Sequence, residues 1–231
     1  MFDVAVLGLG ATGISLLSQA QDEVYKTGTA QPRFAIFNPS ASLATGIAFG
    51  DADAMHKVNT PPGMMSITPT EPNQFGHWLQ SRFNSHERWP ARLRYSDFIR
   101  QTYQDIRQAG SLHIDEFRHS VVGIRRHGSG FTLRDERGNS VHARRVVMCL
   151  GALSENAFPA FADKPGFISH YAQFDPSSDA PLLIAGSGLT AVDAFRYAYG
   201  KSKADIHLYS RSGYVPTCLT DMTVTVTRRA V

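Results

Sequence analysis

The chain has 231 residues, 42% hydrophobic and 19% charged, with a formal net charge of +3 and a sequence pI near 8.9. That is ordinary composition for one large domain or two small ones, long enough for a sizeable core, suited to anionic ligands, and too weakly basic to require nucleic acid. Cys149 and Cys218 stand far apart with no C-x-x-C, which excludes a disulfide framework or a thioredoxin-type pair, and metal-ligand spacing is absent; no apolar run approaches a membrane span, and a strand starting almost at Met1 leaves no room for a signal peptide, so a cytoplasmic setting is expected.

In chain order, Phe2 to Leu7 reads as a buried strand, and Ala11 to about Lys26 as a helix with Ile14, Leu17 and Ala20 at helical spacing. Between them stands Gly8-Leu9-Gly10-Ala11-Thr12-Gly13. A helix opening offers unpaired N–H groups and partial positive charge to a diphosphate, worth about 0.3–1 kcal/mol per charge at exposed sites. Gly8 is expected to make the tight turn, Gly10 to leave room for the diphosphate, and Gly13 to let helix and strand pack. The competing reading is a plain glycine-rich turn. Phe34 to Phe37 forms the next strand and ends at Asn38, where a dinucleotide fold normally places a ribose-binding carboxylate. An amide there still bonds a ribose hydroxyl, without charge assistance, so weaker affinity is expected.

The stretch from Pro39 to about Gly63 is loop chemistry, rich in proline and small residues. Phe75, Trp78 and Leu79, then Phe98, Ile99, Tyr103 and Ile106, fall at helical spacing and predict a helical insertion at about 51–110 with these aromatics in its core. From about Leu112 the period is that of strands, through Val121, Val122, Ile124, Phe131 and Leu133, a turn at Arg137-Gly138-Asn139, and Val141. That predicts an antiparallel meander. Arg118, Arg125, Arg126, Arg134, Arg137, Arg144 and Arg145 read as its solvated surface. The apolar run from Val146 to Ala152 predicts a parallel central strand buried on both faces, with Cys149 a small buried hydrophobe.

Leu182 to Ala185 leads into a second fingerprint, Gly186-Ser187-Gly188-Leu189-Thr190-Ala191, with alanine in the last place. A helix with Val192, Ala194, Phe195 and Tyr197 follows, then a strand from Ile206 to Tyr209 leading into Ser210-Arg211. One such motif is weak; two suggest a protein that handles two dinucleotides. A hydroxyl and a fixed cation at the end of the second strand favour a ribose 2′-phosphate, hence NADPH over NADH.

This order of parts resembles the bacterial FAD/NAD(P)-binding family of two-dinucleotide flavoproteins, which includes flavin-dependent N-monooxygenases and urate-hydroxylase-like proteins. The phrases that carry it are Thr45-Gly46-Ile47-Ala48-Phe49, Val58-Asn59-Thr60-Pro61, Met65-Ser66, Phe75-Gly76-His77-Trp78-Leu79, and Pro90-Ala91-Arg92 followed by Tyr95-Ser96-Asp97-Phe98. The resemblance spans nearly the whole chain. It implies an FAD diphosphate site at Gly8, Gly10, Ala11, Thr12 and Gly13, an adenosine-ribose contact at Asn38, and a backbone approach to the flavin at Gly46. Gly151 matches the glycine closing the apolar strand, although Cys149-Leu150 replaces the family's Ala-Thr. Asn59, Met65, Ser66, Arg92 and Tyr95 match positions near flavin or substrate; Asn and Ser also stabilise turns, and Arg also serves as a surface partner. Gly186, Gly188, Leu189, Thr190, Ser210 and Arg211 are the corresponding NADPH candidates.

The expected architecture is α/β: a Rossmann-like FAD-binding domain at 1–175, with parallel sheet, meander and helical insertion, and a partial Rossmann-like NAD(P)-binding unit at 176–231. The expected function is an FAD- and NADPH-dependent oxidoreductase, a monooxygenase of a small molecule, with no nucleic-acid or membrane partner. His56, His77 and Asp97 lie in the right segment for a catalytic base, and sequence does not choose among them. Only 40 residues follow Ala191, the family's late acidic residue near the ribityl chain is missing, and Met222 to Arg229 alternates like an edge strand. The chain therefore reads as C-terminally truncated, completed by another chain or a homo-oligomer, and a binding module without independent catalysis is the alternative.

Overall fold

The computed structural model describes residues 1–39, 44–68, 70–151 and 158–214. Cys218, Ala152 and the alternating segment from Met222 to Arg229 lie outside these residues. The chain divides into two compact units, Met1–Ala52 with Thr60–Leu153, and Asp53–Asn59 with Ser154–Val231.

In the first unit, β1 (Phe2–Leu7) runs through the Gly8 turn into α1 (Ala11–Thr27) and then β2 (Arg33–Phe37). α1 buries Gly13, Ile14, Leu17 and Ser18, carries Lys26 in its last turn, and stops at Gly28 in the left-handed conformation that favours glycine. Next come α2 (Gly46–Gly50), α3 (Gln74–Phe83) and α4 (Arg92–Ala109), followed by β3 (His113–Phe117), β4 (Val121–His127), β5 (Gly130–Asp135) and β6 (Ser140–Met148). The six strands lie in the order β3-β2-β1-β6-β5-β4. β3, β2, β1 and β6 are mutually parallel, whereas β6, β5 and β4 are antiparallel.

Two layers sandwich the parallel strands. Leu133 and Ala143 of the antiparallel part cluster with Ala5, Leu7, Ala35 and Phe37 of the parallel part, and Phe131, Val121, Val141 and Val146 pack against them. Ala143 and Val146 both turn inward while Arg144 and Arg145 between them are both exposed, so β6 breaks its alternation there as it changes partner. The even-numbered residues Val6, Phe34 and Ile36 of β1 and β2 are buried as well, as strand alternation requires when the opposite face is also covered. α1 and α4 pack on each other, and α4 is fixed to β3 by Tyr103 and Arg107, both of which donate to Glu116. The insertion aromatics are core: Phe75, Leu79, Phe98, Ile99, Tyr103 and Ile106 are buried, and Phe75 meets Tyr95 edge-on at 5.0 Å and Phe98 at 5.4 Å.

Three expectations need correction. β3 does not join an antiparallel meander; it pairs parallel to β2, Arg33 opposite His113 and Phe37 opposite Phe117. A period of two is shared by both pairing directions, so it could not decide between them. The stretch from Pro39 to Gly63 is not all loop, because α2 opens at Gly46 and a 3₁₀ turn spans Pro62–Met64. The end of β6 is not buried on both faces: Met148 is 67% and Leu150 55% exposed, while Cys149 is buried. Burial raises the Cys149 thiol above its ordinary pKa, which suits an inert buried hydrophobe. The hairpin turn after β5 is held by buried Asp135, whose carboxylate accepts from the backbone N–H of Arg137 and Asn139 and from the Asn139 amide.

In the second unit β7 (Leu182–Ala185) leads into α5 (Leu189–Tyr199), which returns to β8 (Ile206–Tyr209), parallel to β7 with Leu182 opposite Ile206 and Ala185 opposite Tyr209. The segment Asp53–Asn59 packs on the end of α5. Asp53 Oδ2 pairs with Lys201 Nζ at 2.9 Å, and the Met55 side chain lies 3.4 Å from where a Gly200 Cβ would stand. Nothing in the sequence signalled this attachment.

Candidate functional site: two glycine turns

The first turn is built by close backbone approaches. Gly8 has φ +98°, its N–H donates to the Phe37 carbonyl at 2.8 Å, and a Cβ on it would stand 2.3 Å from the Cys149 carbonyl oxygen. The turn therefore nests between the ends of β2 and β6. A Cβ on Gly13 would meet the Gly8 carbonyl oxygen at 2.5 Å, so what Gly13 makes room for is the turn itself rather than the body of the strand. Gly10 is the N-cap of α1, with no side-chain cap and no acidic residue in the first helical turn. Across from it Gly46 opens α2 at φ +65°, and a Cβ on either glycine would come within 3.4–3.6 Å of the other's Cα. Asn38 Oδ1 accepts from the Leu9 N–H at 3.3 Å, so the residue in the ribose position also braces the turn.

Gly151 stands at the end of the apolar run with φ +69° and open space around it. Thr12 is exposed and Ala11 half-buried at the start of α1. Arg92 is the first residue of α4 and is half-buried, and Tyr95 is buried. Met65 is half-buried. Ser66 is occupied in holding its own loop, since its hydroxyl bonds the carbonyls of Thr68 and Glu71 and accepts from the Thr68 N–H. Asn59 is exposed and belongs to the second unit.

The second turn repeats the pattern. Gly186 has φ +123°, its N–H donates to the Tyr209 carbonyl at 2.7 Å, and Gly188 is the N-cap of α5, again with no side-chain cap and no acidic residue in the first turn. Gly188, Leu189 and Thr190 are exposed. A cleft of about 670 Å³ lies at the carboxyl ends of β7 and β8, lined by Phe158, Ala185, Gly186, Tyr209, Ser210, Arg211 and Ser212. Gly186, Ser210 and Arg211 are thus brought together, as dinucleotide folds bring ligands to the carboxyl ends of their strands. Phe158 and Ser212 were not legible as site residues, because Phe158 reaches the cleft from a segment with no motif.

Each of the three base candidates is engaged by its own neighbours. His77 Nδ1 lies 2.9 Å from Glu71 Oε1, and Asp97 pairs with Arg100 at 3.2 Å, both on the surface. His56 is fully buried in the second unit, where its Nδ1 accepts from the Asp53 N–H at 3.0 Å and its ring meets Tyr171 edge-on. Among the described residues there is no group of three or more His, Cys, Asp or Glu suited to a metal ion, and no helix long and apolar enough to cross a membrane.

Two strand–glycine turn–helix openings, each on parallel strands, define a dinucleotide-binding α/β protein of Rossmann type. The model of the FAD-NAD(P)-binding family matches residues 5–153, and the chain belongs to that family. Among solved structures it is similar to the flavin-containing monooxygenase from Stenotrophomonas maltophilia, with 21% identity and a TM-score of 0.62 over 91% of this chain and 58% of that one. It is also similar to an ornithine N-hydroxylase from Kutzneria sp. 744, 18% identical, TM-score 0.63, over 96% and 56% of the two chains. A third similar structure is the bacillithiol disulfide reductase from Staphylococcus aureus, 15% identical, TM-score 0.61, over 91% and 59%. At these identities the likeness carries the fold. The chain spans under three fifths of the length of these structures. No curated protein matches the sequence.

Proposed function

We propose that the chain binds FAD at the Gly8–Gly13 turn and NADPH at the Gly186–Thr190 turn, and that it serves an FAD-dependent oxidoreductase acting on a small molecule, a monooxygenase. The observation that carries this is the pair of uncapped helix openings, each reached through a glycine with positive φ and each lacking an acidic neighbour that would neutralise its N–H groups. FAD fits the first. The narrow approach of Gly10 to Gly46 presents bare backbone on both sides, and adding a side chain to either would fill it. NADPH fits the second through Ser210 and Arg211 on the cleft, a hydroxyl donor and a fork of guanidinium donors matched to a 2′-phosphate.

In this reading residues 1–175 are the FAD-binding part and 176–231 the NAD(P)-binding part. The bound flavin supplies hydride acceptance and oxygen activation. The protein's contribution is positional. The α1 N–H groups hold the diphosphate, and Asn38, whose Oδ1 accepts from the Leu9 N–H, stands at the ribose position at the end of β2. Gly46, Arg92 and Gly151 lie in the same unit as this turn, and in this reading they serve the flavin.

The test is a titration of purified protein with FAD, followed by NADPH without oxygen. Saturable FAD uptake and bleaching of the flavin absorbance by NADPH in preference to NADH are expected. Protein that cannot be loaded with FAD refutes the first site. Loaded protein that NADPH does not reduce leaves a binding module and refutes the oxidoreductase.

A further inference from the structure

The antiparallel part of the large sheet has two unlike faces. Pairing sets Arg125 opposite Thr132 and Thr132 opposite His142, with His127 opposite Gly130 and Gly123 opposite Arg134. Residues two apart along a strand share a face, so Arg125, His127, Arg134, His142 and Arg144 stand on one side. Ile124, Leu133, Val141 and the pair Phe131 and Ala143 stand on the other, where Leu133 and Ala143 enter the core and the exposed Arg126, opposite Phe131, ends the row. The sequence showed seven arginines on a hairpin; strand register selects three of them and adds two histidines to make a single outer face.

All five of these residues are exposed. The rings of His127 and His142 are 5.8 Å apart, and the Thr132 hydroxyl is 3.0 Å from His142 Nδ1. Arg144 pairs with Asp3 at 3.5 Å. Among the described residues, no ion pair engages Arg125 or Arg134. Apart from the Arg144–Asp3 pair, the described residues of this face carry only basic charge. The face adjoins a sheet edge that is open among the described residues, because β4 ends the strand order, and Val122, where the register shifts, and Ile124 remain 57% and 40% exposed there.

We propose that this face and the β4 edge dock an extended acidic segment of a partner protein, in which carboxylates alternate with apolar residues. A strand added along β4 repeats each face about every 6.6–6.8 Å, the interval that separates Arg125 from His127, so carboxylates on one side meet guanidinium and imidazole groups. The alternate apolar residues fall on the side of Ile124 and of the aliphatic stem of Arg126. Arginine forks pair bidentately with carboxylates. A single-stranded nucleic acid is disfavoured, since it binds by stacking bases on aromatic side chains and this face carries no Phe, Tyr or Trp.

The experiment is fluorescence anisotropy of the full chain with a labelled ten-residue peptide alternating Glu and Val, at low ionic strength. A Gln-Val peptide and a decathymidylate serve as comparators. Saturable binding of the Glu-Val peptide, weakened by salt and absent with Gln-Val, is expected. The R125E/R134E variant should lower affinity about tenfold or more with an unchanged thermal transition, and R125Q/R134Q should show a smaller loss if the charge-reversed protein does not fold. No binding at low salt, an affinity unmoved in both variants, or tighter binding of the decathymidylate overturns the proposal.

Discussion

Gly10→Ala, set beside Gly8→Ala, tests whether Gly10 serves the proposed ligand while Gly8 serves the fold. Gly10 adopts φ −90°, ψ −165°, extended backbone open to any residue, and a Cβ there would lie 3.6 Å from Gly46 Cα and 3.9 Å from its nitrogen, ordinary contact distances. The protein should accept the methyl group with a stability change within about 1 kcal/mol, since Ala also restricts the unfolded chain. In the proposed complex the same methyl group stands between the two bare backbones, on the side proposed for the diphosphate. Relieving such an overlap costs about 1–3 kcal/mol, which weakens FAD binding by about 5- to 150-fold. Gly8→Ala is the contrast. It combines a left-handed φ with a Cβ 2.3 Å from the Cys149 carbonyl oxygen, a backbone atom between paired strands, and should destabilise by about 3 kcal/mol or more. Urea unfolding and flavin-fluorescence titration of both variants provide the check. Gly10→Ala protein that binds FAD within twofold of wild type, or that loses as much stability as Gly8→Ala, refutes the reasoning.

Arg211→Ala should weaken NADP⁺ by about 10- to 100-fold through loss of a charge-assisted hydrogen bond while leaving NAD⁺ little changed; titration with both nucleotides checks it, and an unchanged preference removes Arg211 from the site. For Asp53, burial works upward but is outweighed by the Met55 N–H and by Lys201, so its folded pKa lies below the ordinary 3.8. The pairing therefore stabilises the fold at pH above about 4 and fades as pH falls through the lower folded value. The stability gap between wild type and Asp53→Asn, measured by urea unfolding, should be larger at pH 7 than at pH 3, and an equal gap would exclude the ion pair as its source. In a Cys218→Ser background, buried Cys149 should resist a thiol-specific chromogenic reagent until denaturant is added; rapid native labelling would contradict its placement.

Much of the candidate site is legible in the residues alone. Each glycine fingerprint is a local code: a positive φ at Gly8 and Gly186, then a helix starting at Ala11 and at Leu189. Ser210 and Arg211 followed from counting past the second strand of a βαβ unit, and they do line the cleft with Gly186. His56, His77 and Asp97 are each engaged by their own neighbours, which no local pattern records. Ser66 matched a family phrase, yet its hydroxyl is spent on the carbonyls of Thr68 and Glu71, a use that a motif cannot exclude.

Periodicity, glycine and capping act over a few residues, and so the strands, helices and phosphate-facing turns are written locally in the chain. Long-range packing set the rest: β3 runs parallel at the sheet edge, and β6 passes from an antiparallel to a parallel partner. It also brought Gly46 to Gly10 and Asp53 to Lys201, and it selected which arginines share a face. These are contacts between segments tens of residues apart. Their selection depends on which apolar faces can be buried together and on the register that burial imposes, and no local pattern records either.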